Sequence, residues 1–119
     1  MIITTTDSIE GKKISKTLGL VQGNTVKARN LGRDIFAGLR NLVGGEIKEY
    51  TRLLNEAREQ STQRMIQEAE ALNADAIINV RFTTSAVMQG CSEILAYGTA
   101  VNLVNIQEDQ VVKENISFQ

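Results

Sequence analysis

The sequence predicts a single α+β domain of two layers, in which an antiparallel sheet packs on one long helix with a shorter helix beside it. Three observations support this fold class. Segments rich in β-branched residues open the chain, an apolar stripe at helical spacing runs through its middle, and two strand-like segments flank Gly90. A length of 119 residues fits one domain with a modest core.

Strands are predicted for the first part of the chain. The segment IITTT at 2–6 is a short β-branched run, and DSIEGK after it turns the chain. Residues 13–28 read as a second strand, interrupted at Gly19 and at the QGN segment of 22–24. Glycines inside a strand pattern indicate a bulge or a bend.

Two helices are predicted next. Asn30 is a suitable N-cap for a short helix, which Gly44-Gly45 ends. A longer helix starts near Glu46 and ends at Asn73, a residue type that accepts the left-handed conformation found after helices. Its apolar stripe consists of Ile47, Tyr50, Leu53, Leu54, Ala57, Met65, Ala69 and Leu72.

A β-hairpin is predicted after the long helix. Alternation in residues 74–84 places one apolar set on one face: Ala76, Ile78, Val80 and Phe82. The MQG segment at 88–90 has the length and the glycine of a hairpin loop, and residues 91–104 return as the last strand. Helix and hairpin both measure roughly 40 Å, so the helix can lie along the hairpin and cover one face from end to end.

The last strand is apolar on both faces. Two alternating sets make up these faces: Leu95, Tyr97, Val101 and Leu103, and Ile94, Ala96, Gly98 and Ala100. Because the helix covers only one side of the sheet, something else must cover the second face or the strand edge. In a chain of this size we expect another copy of the chain, so the sequence predicts a homo-oligomer.

Composition and charge disfavour several classes of partner. A net charge of −1 and 4% aromatic residues provide little for the phosphates or bases of a nucleic acid. The sequence shows neither a signal peptide at its start nor an apolar stretch of the roughly 20 residues that span a membrane. One cysteine fits a reducing compartment. We therefore expect a cytoplasmic protein with neither nucleic-acid nor membrane partners.

Cys91 is the residue that most resembles a reactive or metal-binding group. Soft metals need sets of thiolate, imidazole or thioether ligands, and the chain has no histidine. Cys91 is then either a small apolar residue beside the hairpin turn or, in an oligomer, one of several symmetry-related ligands of a soft metal ion, with Glu93 nearby. Nucleophilic catalysis is disfavoured because no histidine can act as a base and Glu93 opposes thiolate formation.

A second candidate site lies where the two predicted helices meet. Backbone N–H groups at Gly44 and Gly45 can hold an anion, with Arg40 as a charged partner. Alternatively, the glycines only let two helices meet at a sharp angle, and Asp34 and Arg40 form ion pairs between subunits. Tyr50 most simply packs its ring in the core. The candidate ligand-binding residues are Asp34, Arg40, Gly44, Gly45 and Tyr50, and no catalytic residue is predicted.

Three segments occur in a distinctive order: LGRDIFAGLRNLVGGEIKEYTRLLNEAR at 31–58, NADAIINVRF at 73–82 and AYGTAV at 96–101. Together with the opening TTT they resemble the YbjQ-like family of "putative heavy-metal-binding" proteins, over residues 1 to 104. The resemblance implies a dodecin-like fold and an oligomer, typically a pentamer. The chain departs from the family at Asn73, where many relatives have glycine, and at Cys91, where relatives commonly carry other small or apolar residues. The family therefore assigns no general role to this thiol.

These observations predict one domain over residues 1–104 and a polar tail or an extra edge strand over 105–119. The leading functional prediction is a non-enzymatic homo-oligomer, without a cofactor, that binds a small ligand or ion in clefts between subunits. The alternative is a heavy-metal-binding protein that uses symmetry-related Cys91 residues. An enzyme of unknown reaction ranks third.

Overall fold

Four strands form one sheet, and one long helix packs on one face of it, in the computed structural model of the chain. The structure describes residues 1–26, 48–88 and 91–106, with the backbone alone for 48–50, 86–88 and 91. The elements are β1 (Ile2–Ile3), β2 (Lys12–Val26), α1 (Lys48–Ala71), β3 (Ala76–Met88) and β4 (Cys91–Asn105). The predicted short helix and the tail from residue 107 lie outside the described residues.

The strand order in the sheet is β1-β3-β4-β2. β3 and β4 form the predicted hairpin, with Met88 opposite Cys91, and β2 pairs antiparallel with the other side of β4. The α+β two-layer fold is confirmed, but the sheet is mixed because β1 runs parallel to β3. Residues 4–11 connect β1 to β2 across the sheet. These two strands run in the same direction, because β1 is parallel to β3 and both β2 and β3 are antiparallel to β4.

The helix stripe is confirmed in its central part. Ala57, Met65 and Ala69 are buried, and the stripe also contains a polar residue that was not predicted as part of it, the fully buried Ser61. The Ser61 hydroxyl lies 3.1 Å from Thr25 Oγ1 and donates to the carbonyl of Ile94 at 2.9 Å. A hydroxyl is tolerated at this interface because both neighbours satisfy it.

The C-terminal end of α1 is built as predicted. Asn73 has a φ of 59°, the left-handed conformation expected after a helix. The N–H of Ala74 donates to the carbonyl of Ala69 at 3.1 Å, which satisfies one of the last carbonyls of the helix. Leu72, predicted as part of the buried stripe, is 43% exposed because the helix has ended before it.

The helix does not lie along the β3–β4 hairpin as predicted. It packs mainly on β2 and β4 and scarcely touches β3. It approaches β2 closely at Gly23, where an added Cβ would lie 2.2 Å from the carbonyl oxygen of Ser61. Phe82 of β3, opposite Ala96 on the same face, is consequently 48% exposed. The missing side chain at Gly23 is what lets the helix settle over β2.

The two glycine interruptions predicted in β2 have different outcomes. The pairing of β2 with β4 shifts register between Thr17 and Gly19, and Gly19 has a φ of 124°, so the bulge there is confirmed. The QGN segment was predicted to carry a bulge or a bend, and no bulge forms there. From Gly19 to Val26 the register with β4 is unbroken, and Gly23 serves contact with the helix.

The predicted alternation in β3 is wrong beyond Ile78. Asn79 takes a left-handed φ of 53°, and the register with β4 shifts between Ile78 and Arg81. This extra residue places Val80 with Ile77 in the core under the helix. Ala76 and Ile78 pack on the opposite face instead. Backbone bonds from Asn79 to Thr6 and from Val80 to Thr4, 2.9 and 3.0 Å long, hold the bulge against residues 4–6.

The face opposite the helix is covered at one end by the chain itself. Ile9, in the segment that crosses from β1 to β2, packs with Leu103 against a small buried cluster of Ala76, Ile78 and Val101. Farther along the same face, Leu20 is 66% exposed and Val26 is 51% exposed. The second face or the strand edge was predicted to need another cover, and the crossing segment covers that face in part.

Candidate functional site

The predicted ligand-binding residues fall almost entirely outside the described part of the chain. Asp34, Arg40, Gly44 and Gly45 lie between residues 27 and 47, and only the backbone of Tyr50 is described, near the start of α1. The predicted anion site at this junction and the proposed ion pairs therefore stay predictions.

Cys91 and Glu93 lie close together at the hairpin end of β4. Cys91 is the first residue of β4 and pairs with Met88, and the half-buried Glu93 pairs with Ser85 of β3 and Val26 of β2. Within the described ranges, no three or more cysteine, aspartate or glutamate residues are grouped so that they could hold a metal ion. With no histidine and one cysteine in the full sequence, one chain does not fit a thiolate or imidazole site.

A second surface is the part of the sheet opposite α1 that Ile9 leaves uncovered; it is called the open face here. Cross-strand pairing builds it in three rows, namely Gln22, Tyr97 and Arg81, then Asn24, Leu95 and Thr83, then Val26, Glu93 and Ser85. The middle residue of each row, on β4, is half-buried, whereas the residues on β2 and β3 are exposed.

The open face combines an apolar centre with hydrogen-bonding groups at its sides. Tyr97 and Leu95 stand in the middle, and the amides of Gln22 and Asn24 flank them on β2. Arg81 is held at the opposite side, where its guanidinium donates to the carbonyls of Thr5 at 2.9 Å and Val80 at 2.8 Å. Such a surface can contact a flat apolar group and bond its polar rim.

From the sequence, Tyr97 was predicted only as one of the residues on an apolar face of the last strand, and Arg81, Gln22 and Asn24 were given no role. The available signal was their parity in the strands, because all of them share a face with the apolar odd-numbered residues of β4. The bulge at Asn79 obscured that parity for Arg81.

No helix within the described ranges is both long enough and apolar enough to cross a membrane.

Comparison with known proteins places the chain in a family. A family model described as "Putative heavy-metal-binding" matches residues 1–104. A UPF0145 protein of Methanosarcina acetivorans is 58% identical over 105 residues, which cover 88% of this chain and 99% of that protein. A UPF0145 protein of Halorubrum lacusprofundi is 63% identical over 103 residues, or 87% of this chain and 99% of that protein.

A relative from a bacterium, Dehalococcoides mccartyi, is also a UPF0145 protein and is 59% identical over 101 residues, 85% of this chain and 97% of its own. Among solved structures, a protein with unknown function of the DUF74 family from Pediococcus pentosaceus matches with a TM-score of 0.59 at 18% identity. That likeness covers 87% of this chain and 98% of the other, and it supports the fold alone. Taken together, the match over residues 1–104 and these close relatives show that the chain belongs to the YbjQ-like family, the UPF0145 proteins.

Proposed function

We propose that the protein acts as a homo-oligomer, pentameric as the resemblance implies, and binds a small ligand or ion between its subunits without catalysing a reaction. The observation that carries the proposal is the position of the exposed apolar side chains. Leu20 and Val26 on β2 and Phe82 on β3 are each about half exposed or more, and β2 and β3 are the outer strands of the sheet over this stretch. Exposed apolar side chains along the outer strands of a sheet are typical of surfaces that another chain covers.

Burial of these exposed apolar side chains favours association of the chains. Burying a large aliphatic or aromatic side chain completely contributes about 1.5–3 kcal/mol, in proportion to the apolar area removed from water. Leu20 and Phe82 leave roughly half or more of that contribution unused in the single chain. A second copy that covers both edges gains it at every interface, and a ring repeats the gain around its circumference.

Binding, rather than catalysis, follows from the side chains available. The chain has no histidine and one cysteine, so the usual pairs of nucleophile and imidazole base are absent from its sequence. The open face instead offers Tyr97 and Leu95 for apolar contact and two amides for hydrogen bonds. Ligand sites commonly form where such a surface meets a neighbouring subunit.

We expect the purified protein to have a mass in solution that is a multiple of the 13.1 kDa chain mass at micromolar concentration. Leu20→Glu should raise the dissociation constant of each interface at least tenfold, because the carboxylate would lose its hydration when the neighbouring copy covers this position. Light scattering coupled to size-exclusion chromatography measures both. Lys13→Glu, also exposed on β2 but among the lysines at its start, is the matched control and should leave the mass unchanged. A wild-type mass of one chain would contradict the proposal.

The description of the family supports a second candidate, a heavy-metal-binding protein. One chain cannot supply the ligand set, so this candidate requires copies of Cys91 from several subunits around an axis. Elemental analysis of the purified assembly separates the two candidates. The leading proposal predicts soft metal well below one ion per assembly and no change for Cys91→Ser. Stoichiometric metal that is lost in Cys91→Ser would favour the alternative, with Ser92→Ala as the neighbouring control.

A further inference from the structure

The sheet has two backbone edges for which the described residues supply no strand partner. On one side, β1 and residues 4–6 occupy the edge of β3 only as far as Val80. The edge of β3 from residue 81 to 88 is therefore unpaired within the described ranges. On the other side, β2 pairs with β4 along its inner edge, and its outer edge has no described strand beside it.

The hydrogen bonds show which backbone groups point outward along each edge. The N–H of Val80 donates to the carbonyl of Thr4, so the backbone N–H of Val80 points away from β4. Because backbone groups alternate along a strand, the N–H groups of Phe82 and Thr84 point the same way. On β2, the guanidinium of Arg64 donates to the carbonyl of Asn24, which accordingly points away from β4. Alternation extends this direction to Gln22, two residues earlier in the unbroken register.

The two edges differ in protection along their length. The first half of β2 contains Lys12, Lys13 and Lys16 and two register shifts, which are features that block pairing between sheet edges. The second half, residues 19–26, has no charged residue, and neither has residues 82–88 of β3. These two uncharged segments overlap in level from Gly23 to Val26, because Phe82 and Gly23 both pair with Ala96, and Ser85 and Val26 both pair with Glu93.

The position of α1 makes the two edges complementary. The helix lies over β2, and Arg64 reaches from it around the outer edge of that strand. The same face of β3 lacks this cover, which leaves Phe82 exposed. A strand added beside β2 would therefore lie next to a helix. β3 is a strand whose exposed Phe82 such a helix would cover.

We propose that the edge of β3 at residues 82–88 pairs with the edge of β2 at residues 19–26 in a second copy of this chain, head to tail. The pairing is parallel, because β2 and β3 both run antiparallel to β4. Helix α1 of the second copy then covers Phe82 of the first, and the carbonyl of Asn24 exchanges Arg64 for a backbone N–H. Each copy uses both edges, so the contact is heterologous and forms a ring when its rotation closes.

The competing arrangement, β3 against β3 about a twofold axis, fits the structure less well. It would bring two copies of Phe82 together with no helix over either, because in each copy α1 lies over β2 and β4 and scarcely over β3. It would also leave the uncharged half of the β2 edge unused.

This inference rests on the proposed homo-oligomer, and two proline variants test it. Thr84→Pro removes an outward N–H from the β3 edge, and Gln22→Pro removes one from the β2 edge, while the bonds of both strands to β4 are retained. We expect each variant alone to have the mass of one chain by analytical ultracentrifugation. A one-to-one mixture should form a heterodimer and nothing larger, because each partner keeps one intact edge.

Each result has a defined meaning. If Gln22→Pro still assembles while Thr84→Pro does not, the contact is β3 with β3 and the head-to-tail arrangement is wrong. If both variants keep the wild-type mass, the edges are not the interface, although the homo-oligomer itself stands. A wild-type protein that is already a monomer would instead refute the proposed function.

Phe82→Lys provides a test that does not depend on proline. Its side chain is already half exposed, so the chain should fold with an unchanged circular dichroism spectrum. The lysine would lie under the helix of the next copy, and we expect the dissociation constant to rise at least tenfold. Ser15→Lys, exposed in the lysine-containing first half of β2 and outside the proposed contact, should assemble like the wild type. Equal assembly of both lysine variants would overturn the contact between Phe82 and α1.

Discussion

Gly23→Ala is expected to lower the free energy of unfolding by about 3 kcal/mol or more, the upper end of what overpacking a core produces. An alanine Cβ at this position would lie 2.2 Å from the carbonyl oxygen of Ser61 and 2.4 Å from the amide nitrogen of Met65. Both are backbone atoms of α1, so no side-chain rotation relieves the overlap. The helix would have to move away from β2 and lose contact with the core along its length.

Gly11→Ala is the matched control for this variant. A side chain at Gly11 is also unfavourable, because its φ of 74° is left-handed, but nothing lies within 4 Å of an added Cβ. The expected loss is the strain alone, about 1–2 kcal/mol. Urea unfolding at a fixed protein concentration measures both variants, since the stability of an oligomer depends on concentration. Equal losses at positions 11 and 23 would mean that the close approach of the helix is not needed.

The role of Gly23 also shows what sequence patterns can and cannot predict. Periodicity located β2, α1, β3 and β4 to within a few residues, because each element has its own local repeat. The same repeat does not say which strand a helix covers. That choice depends on where two backbones can approach, and a glycine that permits it looks the same in the sequence as a glycine that bends a strand.

Asn79 illustrates a second limit. Its neighbours Ile78 and Val80 fit an alternating strand, so the pattern assigned them to the same face. A left-handed asparagine inserts one extra residue, and every apolar position after it changes face. Asparagine accepts the left-handed conformation, but the alternation on both sides of Asn79 conceals the bulge. The two backbone hydrogen bonds that hold the bulge are accepted by Thr4 and Thr6, which lie more than seventy positions earlier in the chain.

The candidate site was less accessible to sequence reasoning than the fold. Cys91 and the residues from Asp34 to Tyr50 were selected because their side chains or backbone suit metal or anion chemistry, and that selection was local. A site formed between copies depends on which edges of the sheet remain unpaired, and only strand order reveals this. The alternation of β4 did predict an apolar second face, and the half-buried Leu95 and Tyr97 of the open face agree with that prediction.

Met65→Ala is the second substitution with a large expected effect. Met65 is fully buried and is the largest completely buried side chain among the residues that the structure describes. Its neighbours in the core include Ala69, Ala96 and Ala100, which are too small to fill the space that the methionine occupies. Truncation therefore leaves a cavity, and we expect the free energy of unfolding to fall by about 2–5 kcal/mol.

Two comparisons test the cause of that loss. Met65→Leu nearly conserves volume and should cost less than about 1.5 kcal/mol, and Gln67→Ala, exposed on the same helix, should change stability by no more than about 0.5 kcal/mol. Met65→Ala should also fail to rescue Gly23→Ala. The alanine at position 23 would meet the backbone nitrogen of Met65, which truncation of the side chain leaves in place. A double variant more stable than Gly23→Ala alone would show that the helix approach is limited by the side chain and not by the backbone.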